Sequence, residues 1–229
     1  MKSPKVTNSA KPLHGRWYDD ACGTAFGLEV LGERWALLVV RELMFGPLRF
    51  SDLRAALPGL SAKILTERLA GLERSGVLRR MSVADPVPAQ LYGLTEWGYA
   101  AEPIIQELGR WAAASPLHDP TLPLSPASFM LSLRTMLDRA AARDLEAEVA
   151  FVIGATRFSA RLRDGDLPVT RGEAEAPDLR FAAGSAPPLA AVFYGDVDPE
   201  AAGVQVTGDP ALFRSFVDLF ELPSPVATP

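Results

Sequence analysis

Residues 115-SPLHDPTLPLSP-126 place four prolines in one short stretch. Proline has no backbone N–H to donate and holds φ near −65°, so neither a regular helix nor a central strand passes through such a segment. The stretch therefore cuts the chain in two and reads as a semi-rigid linker. It separates a domain at 16–114 from a second at 127–222, with 1–15 as a disordered arm and 223–229 as a frayed tail.

The two sides differ in charge. The whole chain carries a net −5, but residues 1–115 hold 14 Lys and Arg against 12 Asp and Glu, whereas 116–229 hold 9 against 16. Within 49–80 seven basic residues face three acidic ones. The acidic character thus belongs to the second half, and the first half keeps a local basic segment suited to phosphate contact. The rest of the composition, 48% hydrophobic and 22% charged, is that of an ordinary globular chain. No apolar run approaches the ~18 residues of a membrane span. The N-terminal MKSPKVTNSAKPLHG lacks the apolar core of a secretory signal. Cys22, the single cysteine, excludes a disulfide within the chain and suits a reducing cytoplasm.

In the first half, 22–44 has helical spacing with a break near Gly32. Ser51 is a candidate N-cap for a short helix to Leu57, Pro58-Gly59-Leu60 a turn, and Ser61 the N-cap of a helix that runs to Arg74-Ser75 with Gly76 past its end. Two strands, 77-VLRRMSV-83 and 89-AQLYGLT-95, flank the tip 84-ADPVP-88, and Thr95 caps a last helix to about Ala114. This order is the winged helix-turn-helix plan, in which a short helix braces a second whose N-terminal half enters the major groove.

At 100° per residue, Leu65, Leu69 and Leu72 of that second helix share one face. Lys63, Thr66, Glu67 and Ala70 fall on the other. Lys63 and Thr66 can donate to phosphates or base edges. Glu67 would repel phosphate, so it must meet a base amino group, pair with a cation, or be tolerated. Arg68 lies toward the buried flank, which favours an intradomain salt bridge. An amphipathic helix with lysine outside is also the pattern of a merely solvated helix.

The pieces Cys22, 31-LGERWALLVVREL-43, 46-GPLRFSDLR-54, 58-PGLSAKILTERLAGLERSGVL-78, 91-LYGLTEWG-98 and Trp111 resemble the HxlR-type winged-helix transcriptional regulators of bacteria and archaea. The resemblance covers about 20–112. It implies a homodimer whose first and last helices form the seam and whose two recognition helices, Ser61–Ser75, address a roughly palindromic double-stranded DNA operator. It further places Arg49-Phe50-Ser51 at the start of the supporting helix and the wing at about 77–95. Arg49 is then a phosphate ligand or a solvated flanking charge. The wing run 86-PVPAQLY-92 lacks the basic residue common there, which leaves that contact to Arg79 or Arg80. The two point to opposite faces of a strand, so one of them meets DNA. Some members sense oxidants or electrophiles through a cysteine near position 22. In this sequence Asp19 and Asp20 would raise the Cys22 pKa, which favours a plain small residue near the seam over a reactive thiol.

The second half reads as α+β: a helix over 127–143, strands at 147–154, 156–163, 167–172, 178–184 and 203–208, a helix at 187–194, and a last one opened by Asp209-Pro210. About five strands form a mostly antiparallel sheet covered by helices, with Asp164-Gly165 as a hairpin turn. The paired strands, 177-PDLRFAAGSAPPLAAVFYGD-196 and 203-GVQVTGDPALFRSFVDLF-220, resemble the sterol carrier protein type 2-like fold. That resemblance implies an apolar tunnel for a lipid or other hydrophobic molecule, with Phe129, Leu133, Phe151, Phe181, Leu189, Phe193, Phe213 and Phe216 as candidate linings. The plainer reading of each is ordinary core.

Enzyme chemistry finds no footing. The run 149-VAFVIGATR-157 has one glycine where a nucleotide loop needs a cluster. His14, His118 and Cys22 cannot assemble a His/Cys metal set within one chain. No cofactor or metal is expected. The sequence thus points to a dimeric one-component regulator, repressing by occupying its operator, with a hydrophobic small molecule as effector. The rival reading is a lipid carrier whose winged helix serves only dimerisation.

Overall fold

A computed structural model describes residues 18–83 and 88–227. The arm at 1–15 and most of the wing tip at 84–88 lie outside the described residues. The first half opens with α1 (Gly23–Leu31) and α2 (Ala36–Leu43), separated at the expected break near Gly32, where Trp35 takes a left-handed φ of 78°. Then follow β1 (Leu48–Arg49), α3 (Phe50–Ala56), α4 (Ala62–Arg74), β2 (Leu78–Val83), β3 (Ala89–Leu94), α5 (Glu96–Tyr99) and α6 (Glu102–Ala113).

Three details depart from the sequence expectations. The short β1 pairs with β3, so the wing is a three-stranded sheet in the order β1-β3-β2. A two-residue strand has no period to detect. The N-cap of α3 is Arg49 rather than Ser51: the Asp52 carboxylate accepts from the Arg49 N–H at 3.4 Å, and Ser51 lies inside the helix. The helix expected to run on from Thr95 is two helices. Pro103 lacks an N–H and its ring would meet the carbonyl four residues back, so the chain breaks at Ala100–Ala101 and restarts as α6. α4 is as expected, with Ser61 Oγ accepting from the Ile64 N–H at 3.3 Å and Gly76 at a φ of 78° beyond its end.

The second half contains α7 (Pro126–Met136), β4 (Ala147–Ile153), β5 (Thr156–Leu162), β6 (Val169–Arg171), β7 (Leu179–Ala183), α8 (Ala186–Tyr194), α9 (Pro199–Ala202), β8 (Gln205–Gly208) and α10 (Pro210–Val217). The sheet order is β6-β5-β4-β7-β8, mixed because β4 and β7 are parallel while the other pairs are antiparallel. Asp164 and Gly165 both take positive φ, 52° and 73°, closing the turn between the bridged Arg163 and Asp166. α7 ends well before 143. Leu137 turns extended to pair with Phe220, and the Asp138 carboxylate takes the N–H groups of Ala140 and Ala141. A residue whose carboxylate satisfies the backbone just ahead stops a helix that propensity alone would continue.

The candidate tunnel residues are the core itself. Phe129, Leu133, Phe151, Phe181 and Leu189 are fully enclosed, as is Phe216, while Phe193 is 3% exposed. Ring centroids lie 5.2 Å apart for Phe151–Phe181, 5.1 Å for Phe181–Phe193 and 5.9 Å for Phe181–Phe213. Aromatic side chains at these separations fill the space between sheet and helices with one another. Seven of the eight expected linings thus pack as core, with Phe213 half-buried beside them, and the sterol-carrier resemblance is left without support from this packing.

The two halves also share packing. Phe45 places its ring edge on Phe158 of β5, with centroids 5.6 Å apart. Glu42 of α2 is 2% exposed and accepts from Arg41 and, at 2.7 Å, from the Ser125 hydroxyl. Ser125 in turn caps α7, accepting from the Ser128 N–H at 3.0 Å. Glu102 of α6 pairs with Arg134 of α7 at 2.7 Å. Burial raises the Glu102 carboxyl above its ordinary range against the pull of that guanidinium. No helix among the described residues is long and apolar enough to cross a membrane.

Candidate nucleic-acid interface

α4 divides as its wheel predicts. Leu65, Leu69 and Leu72 are at most 1% exposed and lock the helix to the core. Lys63, Thr66 and Glu67 are exposed on the opposite side, and Ala70 is half-buried. The turn before α4 is set by Gly59, at a φ of 88°, with the Leu60 N–H returning to the Leu57 carbonyl at 3.2 Å. Ser61 takes the N–H groups of Ile64 and Leu65, and the helix dipole at this end of α4, beside Lys63, favours an anion.

Each polar group on this face has a defined state. Lys63 has no ion-pair partner among the described residues, so its ammonium is free to meet phosphate or a base edge. The Thr66 hydroxyl donates to the Ala62 carbonyl at 2.9 Å, so in the free protein it offers lone pairs outward rather than a proton. This refines the expectation that Thr66 donates. Ser61 spends its oxygen on the Ile64 N–H but keeps its proton. Ser51 is exposed and donates to Asp52 at 3.2 Å. Arg68 pairs with Glu33 of the α1–α2 corner at 3.1 Å, the intradomain bridge its position on the wheel suggested.

The strand arginines separate by face. Arg80 pairs with Glu73 of α4 at 2.9 Å and lies 6.0 Å from the centre of the Tyr92 ring, so it ties the wing to the recognition helix. Arg79, opposite Gly93, and Arg49, opposite Leu91, share the other face of the three-stranded sheet. Both are exposed and without an ion-pair partner among the described residues. Arginines of the second half are largely neutralised: Arg161 pairs with Glu148, Arg157 with Glu173, and Arg139 with Asp166.

Two further features flank the interface. On α6, Ile104, Leu108 and Trp111 form an i, i+4, i+7 stripe with exposures of 55%, 46% and 76%. Three large apolar side chains aligned in water are uncommon on a finished surface. Cys22 is the N-cap of α1 and exposed. The backbone N–H groups of Thr24 and Ala25, and the Thr24 hydroxyl, hold its thiol below the ordinary range. This reverses the expectation drawn from Asp19 and Asp20. The Asp20 carboxylate is engaged, accepting from the Cys22 N–H at 2.9 Å, and the helix start decides the direction.

Comparison with known proteins agrees with this geometry. A family model for HxlR-like helix-turn-helix proteins matches residues 30–118. The uncharacterized HTH-type transcriptional regulator YvaP of Bacillus subtilis is 43% identical over 86 residues, which are 37% of this chain and 79% of YvaP. The HTH-type transcriptional regulator YodB of the same organism is 38% identical over 89 residues, 39% of this chain and 78% of YodB. A solved structure of YodB in its reduced form aligns at 32% identity with a TM-score of 0.39, covering 44% of this chain and 100% of that one. The family model runs from the end of α1 through α6, and with 43% identity to YvaP over 79% of that protein the chain belongs to the HxlR-like helix-turn-helix family.

Proposed function

We propose that the protein is a dimeric transcription regulator that binds a palindromic operator, represses by occupying it, and answers to a hydrophobic small molecule through its second half. The observation that carries the DNA-binding reading is the outer face of α4: a capped helix N-terminus beside an unpaired Lys63, with Thr66 and Glu67 a turn further on. Dimerisation through α1 and α6 is supported by the apolar stripe Ile104–Leu108–Trp111. The carrier alternative loses ground because the side chains that would line a carrier's lumen are packed against each other.

Gel shifts against the gene's own upstream region test the reading. Lys63→Ala is expected to weaken specific binding by about 1–3 kcal/mol if it meets a base, and to lower the salt slope by about one if it meets only phosphate. Native affinity in both Lys63→Ala and Thr66→Ala, with the native salt slope, would show that another face reads the operator.

The exposed position of Cys22 at the start of α1, with its thiol held below the ordinary range, favours a second mode of control, in which the thiol loses its proton and adds to an electrophile. Iodoacetamide alkylation is expected to reach half its maximal rate at a pH below the ~8.5 of free cysteine. A midpoint at or above that value would leave Cys22 as a structural residue.

A further inference from the structure

Between the two halves lies a cavity of about 610 Å³. It is half open to solvent, bounded by α2, α6, α7 and α8 and flanked by the proline-rich stretch from Leu117 to Leu124 and by Leu222. Its size falls within the ~300–1,000 Å³ of small-molecule sites. Its walls are apolar, with Leu37, Ile105, Leu131 and Met136 among them. None of the eight tunnel candidates borders it.

At the base sit two hydroxyls, Ser132 Oγ and Tyr194 Oη, 2.7 Å apart. Ser132 has one proton, and the Phe129 carbonyl 2.9 Å away receives it. The proton between the two hydroxyls is then the tyrosine's, which leaves the Tyr194 oxygen with lone pairs to offer. Burial keeps that phenol protonated well past neutral pH. The nearest cation, Arg41, is held by Glu42 through contacts of 3.0 and 2.7 Å, so it offers no free charge to an anion. The other polar side chains are His118 and Asp119 of the proline-rich stretch, the Asp119 carboxylate being engaged by Thr121, and Ser128 and Thr135 of α7, the Thr135 hydroxyl donating to the Leu131 carbonyl at 2.7 Å.

We propose that this cavity is the effector site, and that its ligand is a neutral, mainly apolar molecule whose single hydroxyl donates to Tyr194. The inference deepens the regulatory reading above by naming the site and the ligand class, and rests on it only for the consequence on DNA. That consequence follows from α6, which borders the cavity with Ile105, Gly109 and Ala112 while Ile104 and Trp111 on the same helix face outward. A molecule seated between α6 and α7 bears directly on the helix that carries the apolar stripe.

The test uses the full-length protein with 4-phenylphenol and its methyl ether, which differ by the one donated proton. Calorimetric titration should give one phenol bound per chain, about 10-fold tighter than the ether, the worth of one hydrogen bond. Tyr194→Phe should erase that difference. Ala190→Trp, which fills the cavity from α8, should weaken phenol binding at least about 10-fold; Ala112→Leu fills it from α6 should the first variant not fold. Equal affinity for phenol and ether in the native protein, or native phenol binding in a folded cavity-filled variant, overturns the assignment. Operator binding without any ligand is measured in parallel. Its loss would sink the regulator reading and leave the site standing, whereas intact operator binding without phenol binding would do the reverse.

Discussion

Phe181→Ala is expected to lower the folding free energy by about 3–5 kcal/mol, the cost of a large cavity among aromatic side chains that cannot close in around it. Phe181 is fully enclosed, with its ring stacked 5.2 Å from Phe151 and tilted against Phe193 at 5.1 Å and Phe216 at 6.2 Å. Urea denaturation followed by both far-ultraviolet circular dichroism and tryptophan fluorescence reads the effect. All four tryptophans, Trp17, Trp35, Trp97 and Trp111, lie in the first half of the sequence, so fluorescence reports on that half while the mutation lies in the second. Because Phe45 packs on Phe158 and α2 and α6 pack on α7, both probes should shift together. A loss under about 1 kcal/mol, or a fluorescence transition that stays in place, would contradict the shared core. A gain in affinity for apolar ligands without loss of stability would return the tunnel reading.

The second large effect lies on α6. If the proposed dimer closes over α6, Trp111→Asp is expected to leave the protein monomeric at micromolar concentration, read by sedimentation velocity. Aromatic anchors at the centre of an interface are each worth about 2 kcal/mol or more, and a desolvated carboxylate in their place adds repulsion. Trp111 is 76% exposed, so the monomer has little to lose by the change, and its melting temperature should stay near native. Operator affinity should fall about 100-fold or more, since each recognition helix then binds its half-site without the tethering of its partner. A Trp111→Asp protein that remains dimeric would move the seam elsewhere, and a dimer that was never present in the native protein would remove it altogether.

How far the sequence reaches can be judged element by element. α4 was legible to its ends, because Ser61 as cap, three leucines at helical spacing and Gly76 are local signals that agree with one another. The same holds for Asp164-Gly165 and for α10 with its Asp209 cap and Pro210. Errors fell where a tertiary partner overrode local preference. α7 stops early because Leu137 pairs with Phe220, more than eighty residues away along the chain. β1 exists because β3 is there to receive it. Arg80 looked like a free cation and is tied to Glu73, while Cys22 looked deactivated by its aspartates and is instead governed by the start of α1.

The sequence by itself determined most of the element order and the division of α4 into a core face and an outward face, since caps, turns and periodicity act over a few residues, and its motifs carried the family. It also placed the basic excess in 49–80, away from the acidic half. Only the tertiary structure decided which apolar side chains enclose space and which fill it. Phe129, Phe151 and Phe181 read as possible linings because hydrophobicity is the same signal for a wall and for a core. The cavity instead opens where α6, α7 and the proline stretch meet, between residues far apart in sequence. Its shape depends on how helices from two halves pack, a property that no local pattern of residues encodes.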